Sequence, residues 1–375
     1  MKIAYIGQKG IPMTQGGVEA HVENLAVEMA KKGHDIFVYT RPYYTNKKIK
    51  EYKGVKLISL LKLISLPSIQ TKHLDAISHT FFASVHALFQ GYDIIHYHAV
   101  GPAIFSFIPR LFSKAKIIGT FHCIDRFHQK WGRFAQTILR IGEWAICTFP
   151  HLTITVSPHI QKYCLKEYKK ETLFIPNGFK IDDNFEDDIL KKYNLVSKKY
   201  FIAVSRIIKH KGLHYLIEAF KKLNNPEYKL VIVGDTFYNQ KYKNYLDEIS
   251  KGEKNIIFTG LQTGESLDKL FTNAFSFILP SEDEGFSITL LEAMAHGIPV
   301  IASIIDANMY FIEKSVVYSF ENRNIDDLKA KMEYVLSHPE ENDKISKKAE
   351  KYVKENFSWD YIGNKIDKLY LSYKK

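Results

Sequence analysis

Cysteine is scarce in this chain of 375 residues. There are three, Cys123, Cys147 and Cys164, an odd number without metal-ligand spacing. That excludes a disulfide framework and leads us to expect a reducing compartment. No run of eighteen apolar residues occurs, so no membrane-spanning helix is expected. The opening MKIAYIGQKG reads as a short strand and a loop without a signal-peptide apolar core, and a cytoplasmic location is expected. No Asp-x-Asp triplet is present to hold Mg²⁺ or Mn²⁺ on phosphates, and no His/Cys cluster has ligand spacing along the chain, so neither a metal nor another cofactor is expected. Gly7 and Gly10 lack the G-x-G-x-x-G spacing of a dehydrogenase fingerprint. No nucleic-acid recognition motif is found.

What is present is an apolar content of 46%, typical of a globular chain, over a length that suits two domains with substantial cores. The net charge of +11 is uneven. Residues 1–175 hold 23 Lys+Arg against 11 Asp+Glu, a balance of +12, and the remainder holds 29 against 30, a balance of −1. The first half is therefore expected to meet an anionic partner, an anionic membrane surface or a lipid pyrophosphate rather than nucleic acid.

Apolar strands and amphipathic helices alternate from Lys2 to Val156, with strands at Lys2–Gly7, Ile36–Thr40, Val55–Leu60, Asp93–Tyr97, Lys116–Thr120 and Leu152–Val156, and helices at Val18–Lys32, around Ala76–Phe89 and at Trp131–Phe149. After Pro176-Asn177-Gly178 and an acidic stretch the pattern restarts. Strands at Tyr200–Ser205, Lys229–Val233 and Ile256–Thr259 alternate with helices at Leu213–Leu223, Tyr242–Ser250 and Leu267–Asn273. This alternation predicts an α/β chain of two Rossmann-like, doubly wound parallel-sheet domains, residues 1–180 and 181–357, facing a central cleft at the carboxyl ends of their strands. A last helix covers 358–375.

The most informative segment is LPSEDEGFSITLLEAMAHGIPVIA, Leu279 to Ala302. A strand runs into an acidic loop, Gly285 follows, and a helix carries a second carboxylate. Helix N-termini offer free N–H groups to anions, and carboxylates accept the hydroxyls of sugar or ribose. A ligand with phosphates at one end and hydroxyls at the other, a sugar nucleotide, fits this pattern. Glu284 and Glu292, with seven residues between them inside P-S-x-x-E-G-F-x-x-x-x-L-E-A-M-A-x-G-x-P-V, resemble the E-x7-E motif of family 4 retaining glycosyltransferases of the GT-B fold, of the bacterial cell-surface polysaccharide and O-antigen type. Arg206 and Lys211-Gly212, between a strand and a helix in VSRIIKHKGL, match the family's R-x4-K-G. A guanidinium forks two phosphate oxygens and an ammonium adds a compact charge.

The resemblance, which covers nearly the whole chain, implies an acceptor-binding domain at 1–180, with the last helix crossing back onto it, and a donor-binding domain at 181–357. It implies a metal-independent hexosyltransferase that moves a sugar from a nucleoside-diphosphate sugar to a carbohydrate or lipid-linked saccharide. Arg206 and Lys211 would take the donor diphosphate, and Glu284 the hydroxyls of the transferred sugar. Phe286, Ser287 and Ile288 would offer backbone N–H groups, with Gly285 and Thr289 beside them, and Glu292 would grip the ribose. Gly16-Gly17 would bring backbone close to phosphate. The base would lie near Val233, Gly234 and Leu261, where Gly234-Asp235-Thr236 replaces the Gly-x-Gly common in relatives, so its identity stays open. His122, in GTFHCID, occupies the family's Thr-x-His and would reach the donor sugar, with Asp125 beside it. With Arg206, Lys211 and Glu284 it completes the expected catalytic set.

For the acceptor, Glu19, His96, His98, Asp125, Arg126 and Lys130 are candidates; His21 accompanies Glu19. Phe127, Trp131, Phe134, Ile138 and Ile141 recur at helical spacing beside Arg126, Lys130, Arg133 and Arg140. Two readings stay open, a core-facing stripe with a solvated back, or contact with a membrane surface at the inner face of the cell membrane. Lys47, Lys48, Lys50, Lys53 and Lys56 would add charge. Two other functions remain in view, a non-hydrolysing sugar-nucleotide epimerase and a non-catalytic sugar-nucleotide-binding subunit.

Overall fold

The computed structural model describes residues 1–13, 16–41, 44, 51–53, 55–59, 74–124, 126, 132–181, 188–236 and 240–374. Asp125, Phe127, Lys130, Trp131, Lys47, Lys48 and Lys50 lie outside them, and for Lys56 only the backbone is described. The chain divides into two compact units, Met1–Asn177 with Trp359–Lys375, and Gly178–Ser358.

Along the first unit run β1 (Lys2–Ile6), α1 (Gly17–Lys31), β2 (Asp35–Thr40), β3 (Glu51–Tyr52), β4 (Val55–Ser59), α2 (Leu74–Leu88), β5 (Ile94–His98), α3 (Val100–Ala103), α4 (Phe107–Phe112), β6 (Lys116–Phe121), α5 (Arg133–Thr148), β7 (Leu152–Thr155), α6 (Pro158–Tyr168) and β8 (Leu173–Phe174). The second unit holds α7 (Ile189–Lys192), β9 (Tyr200–Val204), α8 (Leu213–Leu223), β10 (Lys229–Val233), α9 (Gln240–Ile249), β11 (Ile256–Gly260), α10 (Glu265–Asn273), β12 (Ser276–Leu279), α11 (Ile288–Ala295), β13 (Val300–Ser303), α12 (Asp306–Ile312), β14 (Tyr318–Phe320), α13 (Ile325–Ser337) and α14 (Pro339–Phe357). The chain then returns to the first unit as α15 (Trp359–Leu371).

The first sheet has the order β3-β4-β2-β1-β5-β6-β7-β8, parallel except for the β3–β4 edge pair. The second is β11-β10-β9-β12-β13-β14, all parallel. Strands buried on both faces need continuous apolar runs rather than alternation, which is what YFIAV in β9 and KLVIV in β10 supply. In each sheet the order reverses beside the first strand of the unit, between β1 and β5 and between β9 and β12. Loops diverge there at the carboxyl ends and leave a crevice within that sheet's own edge.

Local chemistry fixes the helices that frame these edges. In α8 the buried residues Leu213, Leu216, Ile217, Ala219 and Phe220 follow helical spacing, and Asn224 ends the helix in the left-handed conformation. Ser287 caps α11, its Oγ accepting from the Leu290 N–H at 3.3 Å. In α15, Trp359, Ile362, Gly363, Ile366 and Tyr370 form the buried stripe and join the same core as Val22, Leu25 and Met29 of α1. Helices α3, α4, α6, α7, α12, α13 and α14 and strands β3, β8, β13 and β14 are absent from the expected elements. The 19 residues of α14 are mostly charged, with buried positions only at Asn342, Ser346, Ala349, Val353 and Phe357, too sparse a stripe to stand out in sequence.

Candidate active site

In the second unit the loops after β9 and β12 meet at the reversal. Gly212 has φ 67, and a Cβ there would lie 1.9 Å from the Pro280 carbonyl oxygen. Gly234, after β10, has φ 140, and its Cβ would lie 1.9 Å from the Ser205 oxygen. Only glycine lets the three loops approach this closely. The Glu282 N–H donates to His210 O at 2.8 Å, the Ile207 N–H to Asp235 O at 3.0 Å, and Ser303 Oγ to Ser281 O at 2.6 Å. The loops are thus tied to one another by backbone and to the end of β13 by the Ser303 hydroxyl.

On this frame Lys211 Nζ donates to Glu284 Oε1 at 2.5 Å, and Ser281 Oγ donates to the same oxygen at 2.7 Å. The side chains of Lys211 and Glu284 are only 14% and 10% exposed. A charged pair so shielded from water must keep its partner, because losing one leaves an uncompensated charge. Arg206, five residues before Lys211, is exposed, and no described side chain pairs with it. Glu282 of the same loop is held apart by Tyr215 Oη at 3.0 Å and Arg323 Nη2 at 2.8 Å. That leaves Glu284 as the acidic group aimed at Lys211.

Glu292 lies on α11. Part of the residue is open, yet burial of its carboxyl, with Asp268 adding to the effect, pushes it up to about 8. Phe286 is buried against Phe311 and Phe357, which anchors the turn that carries the backbone of Gly285, Ser287, Ile288 and Thr289. Gly234 donates its N–H to Gly260 O at 2.9 Å, and Leu261, one residue on, is 44% exposed. The second unit therefore gathers Arg206, Lys211, Gly234, Leu261, Glu284 and Glu292 on one sheet edge.

The first unit gathers histidines. His98 ends β5 and His122 follows β6, with His98 Nδ1 and His122 Nε2 3.3 Å apart. His21 of α1 packs edge-on against His122 and donates Nδ1–H to Asn177 Oδ1 at 2.9 Å. Burial pushes His21 down to about 4, and it holds His98 and His122 well below the usual imidazole value, with neighbouring histidines adding to the effect. All three rings are neutral near pH 7.

Several expected acceptor contacts take other partners. His96 is fully buried, with Nδ1 bonded to Tyr370 Oη and Nε2 to Thr120 Oγ1, both at 2.7 Å, so neither nitrogen is left for a ligand. Glu19 is buried and its Oε1 accepts the Lys9 N–H at 3.2 Å, bracing the loop ahead of α1. Gly16 precedes that helix with φ 104 and Gly17 opens it. Arg126 turns inward: Nη2 donates to Tyr163 Oη at 2.6 Å, and Nε stands 3.4 Å from the buried Glu143 carboxylate, which also accepts from Tyr163 and Tyr168. Sequence reasoning missed this inward pull because Glu143 reads as an ordinary helix glutamate. It also missed the three-histidine cluster, since its members sit on three elements with no shared spacing. Phe134 and Ile141, candidates for a core-facing stripe, are instead 80% and 47% exposed. Among the described residues no helix is long and apolar enough to cross a membrane.

Residues 15–183 match the family described as Glycosyltransferase Family 4, and residues 185–352 match Glycosyl transferases group 1. An uncharacterized glycosyltransferase of Methanocaldococcus jannaschii is 25% identical over 99% of this chain and 98% of its own length. O-antigen chain mannosyltransferase C of Escherichia coli is 26% identical over 84% of this chain and 83% of its own. Among solved structures, sucrose-phosphate synthase from Thermosynechococcus elongatus superposes with a TM-score of 0.83 at 22% identity, covering 99% of this chain and 98% of that one. Anabaena HepE in complex with UDP and glucose gives 0.81 at 18% identity over 98% of both chains. Both units are matched by the two halves of one enzyme plan, and the chain belongs to the family 4 glycosyltransferases of the GT-B fold.

Proposed function

We propose that this glycosyltransferase is a retaining enzyme that transfers a hexose from a nucleoside-diphosphate sugar to a carbohydrate or lipid-linked saccharide, without a metal, in the assembly of cell-surface polysaccharide. The observation that carries the reading is the Arg206, Lys211 and Glu284 constellation on the reversal edge of the second sheet. Lys211 and Glu284 pair with each other at 2.5 Å. Donor exchanges these partners. The diphosphate takes Lys211 and the exposed Arg206, and the sugar hydroxyls take Glu284. Both cations then face the charge that grows on the departing diphosphate, which is where preorganised charge lowers a barrier. Glu284 is engaged by Lys211 and Ser281, and no other covalent nucleophile is assigned among the described residues, so the leaving phosphate itself serves as base for the acceptor hydroxyl on the same face. That course retains anomeric configuration. The Escherichia coli relative named as an O-antigen mannosyltransferase supports the setting, and the Anabaena structure with UDP supports a nucleoside-diphosphate donor.

The test is product analysis by NMR. The new glycosidic bond should keep the donor's anomeric configuration, and inversion would refute the mechanism. Arg206→Ala should weaken binding of the free nucleoside diphosphate by roughly tenfold to a hundredfold, as expected for a charge-assisted contact of about 1.5–3 kcal/mol. An unchanged Kd would contradict its role. Donor interconversion without any acceptor would favour the epimerase.

A second, compatible reading concerns location. Along α5 the exposed residues are Arg133, Phe134, Thr137, Arg140, Ile141, Trp144 and Thr148, a single helical face of aromatic, aliphatic and cationic groups. Such a face suits the boundary of an anionic membrane, and in this reading the enzyme sits peripherally at the inner leaflet, near lipid-linked acceptors.

A further inference from the structure

His21, His98 and His122 reach one point from α1, from the end of β5 and from the segment after β6. One ring nitrogen from each lies within 4.8 Å of the others. Among the described residues this is the sole group of three His, Cys, Asp or Glu side chains so disposed. All three residues are buried, at 1%, 0% and 6% exposure. His21 Nε2 is buried without a hydrogen-bond partner, as is His98 Nε2 on the far side of that ring from the nitrogen facing His122. A buried polar atom left unpaired is costly and calls for an explanation.

For His21 the spacing supplies one. Two imidazole nitrogens bound to a tetrahedral ion at about 2.05 Å stand about 3.3 Å apart, and His98 Nδ1 and His122 Nε2 are separated by 3.3 Å. The oxygen of Asn177 can only accept, so the His21 ring carries its proton on Nδ1. Its unpartnered Nε2 is then the lone-pair nitrogen. This is how a carbonyl behind a metal-ligating histidine fixes the tautomer. The wider spacings close by ring movements on the scale of an ångström.

We infer that His21, His98 and His122 form a site for a borderline transition-metal ion of the zinc class. Three neutral imidazoles and no carboxylate select Zn²⁺, Co²⁺, Ni²⁺ or Cu²⁺ over the hard cations Mg²⁺ and Ca²⁺, which require oxygen ligands. Three protein ligands leave a fourth position for water or an anion. The ion takes no part in transfer. It occupies His122, so metal should inhibit the enzyme, a consequence that rests on the donor-contacting role proposed for that residue.

The experiment uses the full chain without an affinity tag, stripped with a chelator and titrated with Co²⁺. One equivalent should produce the intense visible absorption of a four-coordinate nitrogen-rich site, displaced by Zn²⁺ and untouched by excess Mg²⁺. His98→Ala should abolish it, and Asn177→Ala should weaken Co²⁺ binding by roughly tenfold to a hundredfold. His338→Ala, at an exposed histidine remote in sequence from the cluster, should change nothing. If His98→Ala does not fold, the zinc K-edge spectrum of the wild-type protein decides, with about three imidazoles expected. No absorption in the wild type, absorption retained in His98→Ala, or a zinc shell without imidazoles overturns the inference. Co²⁺ bound at the cluster with transfer undiminished upholds the site and refutes the role of His122.

Discussion

Glu292→Gln should make the second unit more stable at neutral pH while weakening its hold on donor. In the unfolded chain the carboxyl titrates at its ordinary value of 4.5, and in the folded unit burial and Asp268 raise it to about 8. Between these values the native state keeps a proton that the unfolded state has released. Stability contributed by this residue therefore falls as pH rises through that window, is fully present below 4.5 and is constant again above 8. Each pKa unit is worth about 1.36 kcal/mol, so the interval from 4.5 to 7 corresponds to about 3.4 kcal/mol. Glu292 keeps part of its surface in solvent, and screening reduces this to roughly half, about 1.7 kcal/mol. Glutamine has nothing to titrate and should recover that amount at pH 7 and none of it below pH 4.5.

Hydrogen exchange of the amides in β9 and β10 reads the opening free energy of this unit by itself, which matters because a two-unit chain need not unfold in one step. The same variant loses the carboxyl expected to grip the ribose, so the Kd for free nucleoside diphosphate should rise by about tenfold, equivalent to about 1.4 kcal/mol. Equal protection in wild type and variant at pH 7, or a wild-type unit whose stability rises between pH 5 and 8, would refute the burial argument. Greater protection with unchanged nucleotide affinity would refute the ribose contact alone.

The first unit should respond to pH in the opposite direction. His21 and His96 are pushed from 6.5 to about 4 and about 3 by burial. The stability they contribute is present above 6.5 and lost as pH falls toward 3. All three tryptophans, Trp131, Trp144 and Trp359, fall within the sequence of this unit, so tryptophan fluorescence should report acid unfolding between pH 6 and 4, and a signal flat to pH 3 would refute it. Gly212→Ala puts a Cβ where Pro280 O sits, in a backbone conformation that costs about 1–2 kcal/mol for other residues. Displacing Lys211 and Glu284 by even an ångström should cut transfer by about a hundredfold, and near-normal turnover would show that the loop tolerates the shift. Reversing charge with Arg133→Glu and Arg140→Glu removes about 1 kcal/mol per residue of attraction to an anionic surface. Binding to phosphatidylserine vesicles should fall by about thirtyfold and weaken with salt. Equal binding by the variant, or none by the wild type, would remove the membrane reading.

What could be read from sequence here depended on how far apart the cooperating residues lie. The placement of Arg206, Lys211 and Glu284 was legible because each follows a parallel strand in the loop before a helix, that of Glu292 because it rides on the helix α11 which such a loop opens, and parallel strands place all such loops at one sheet edge. The topology does the long-range work, so local motifs suffice. The glycines behave likewise: Gly212 belongs to a motif because a carbonyl occupies the place of its side chain. His96, His98 and His122 were also readable as strand-end residues, but their fates were not. His96 is sealed by Tyr370, which lies 274 positions away, and His98 meets His122 and His21 through the pairing of β1, β5 and β6. Nothing in the residues DIIHYHAVG distinguishes a ring capped on both nitrogens from one left with a free buried nitrogen. Arg126 shows the same limit, since a stripe of cations at helical spacing predicts exposure while the buried carboxylate of Glu143 draws one of them inward. Periodicity reports which face is apolar. Whether a polar group on that face is satisfied depends on partners that only the folded chain brings within 3 Å or so, and the tri-histidine cluster is assembled by that same long-range pairing.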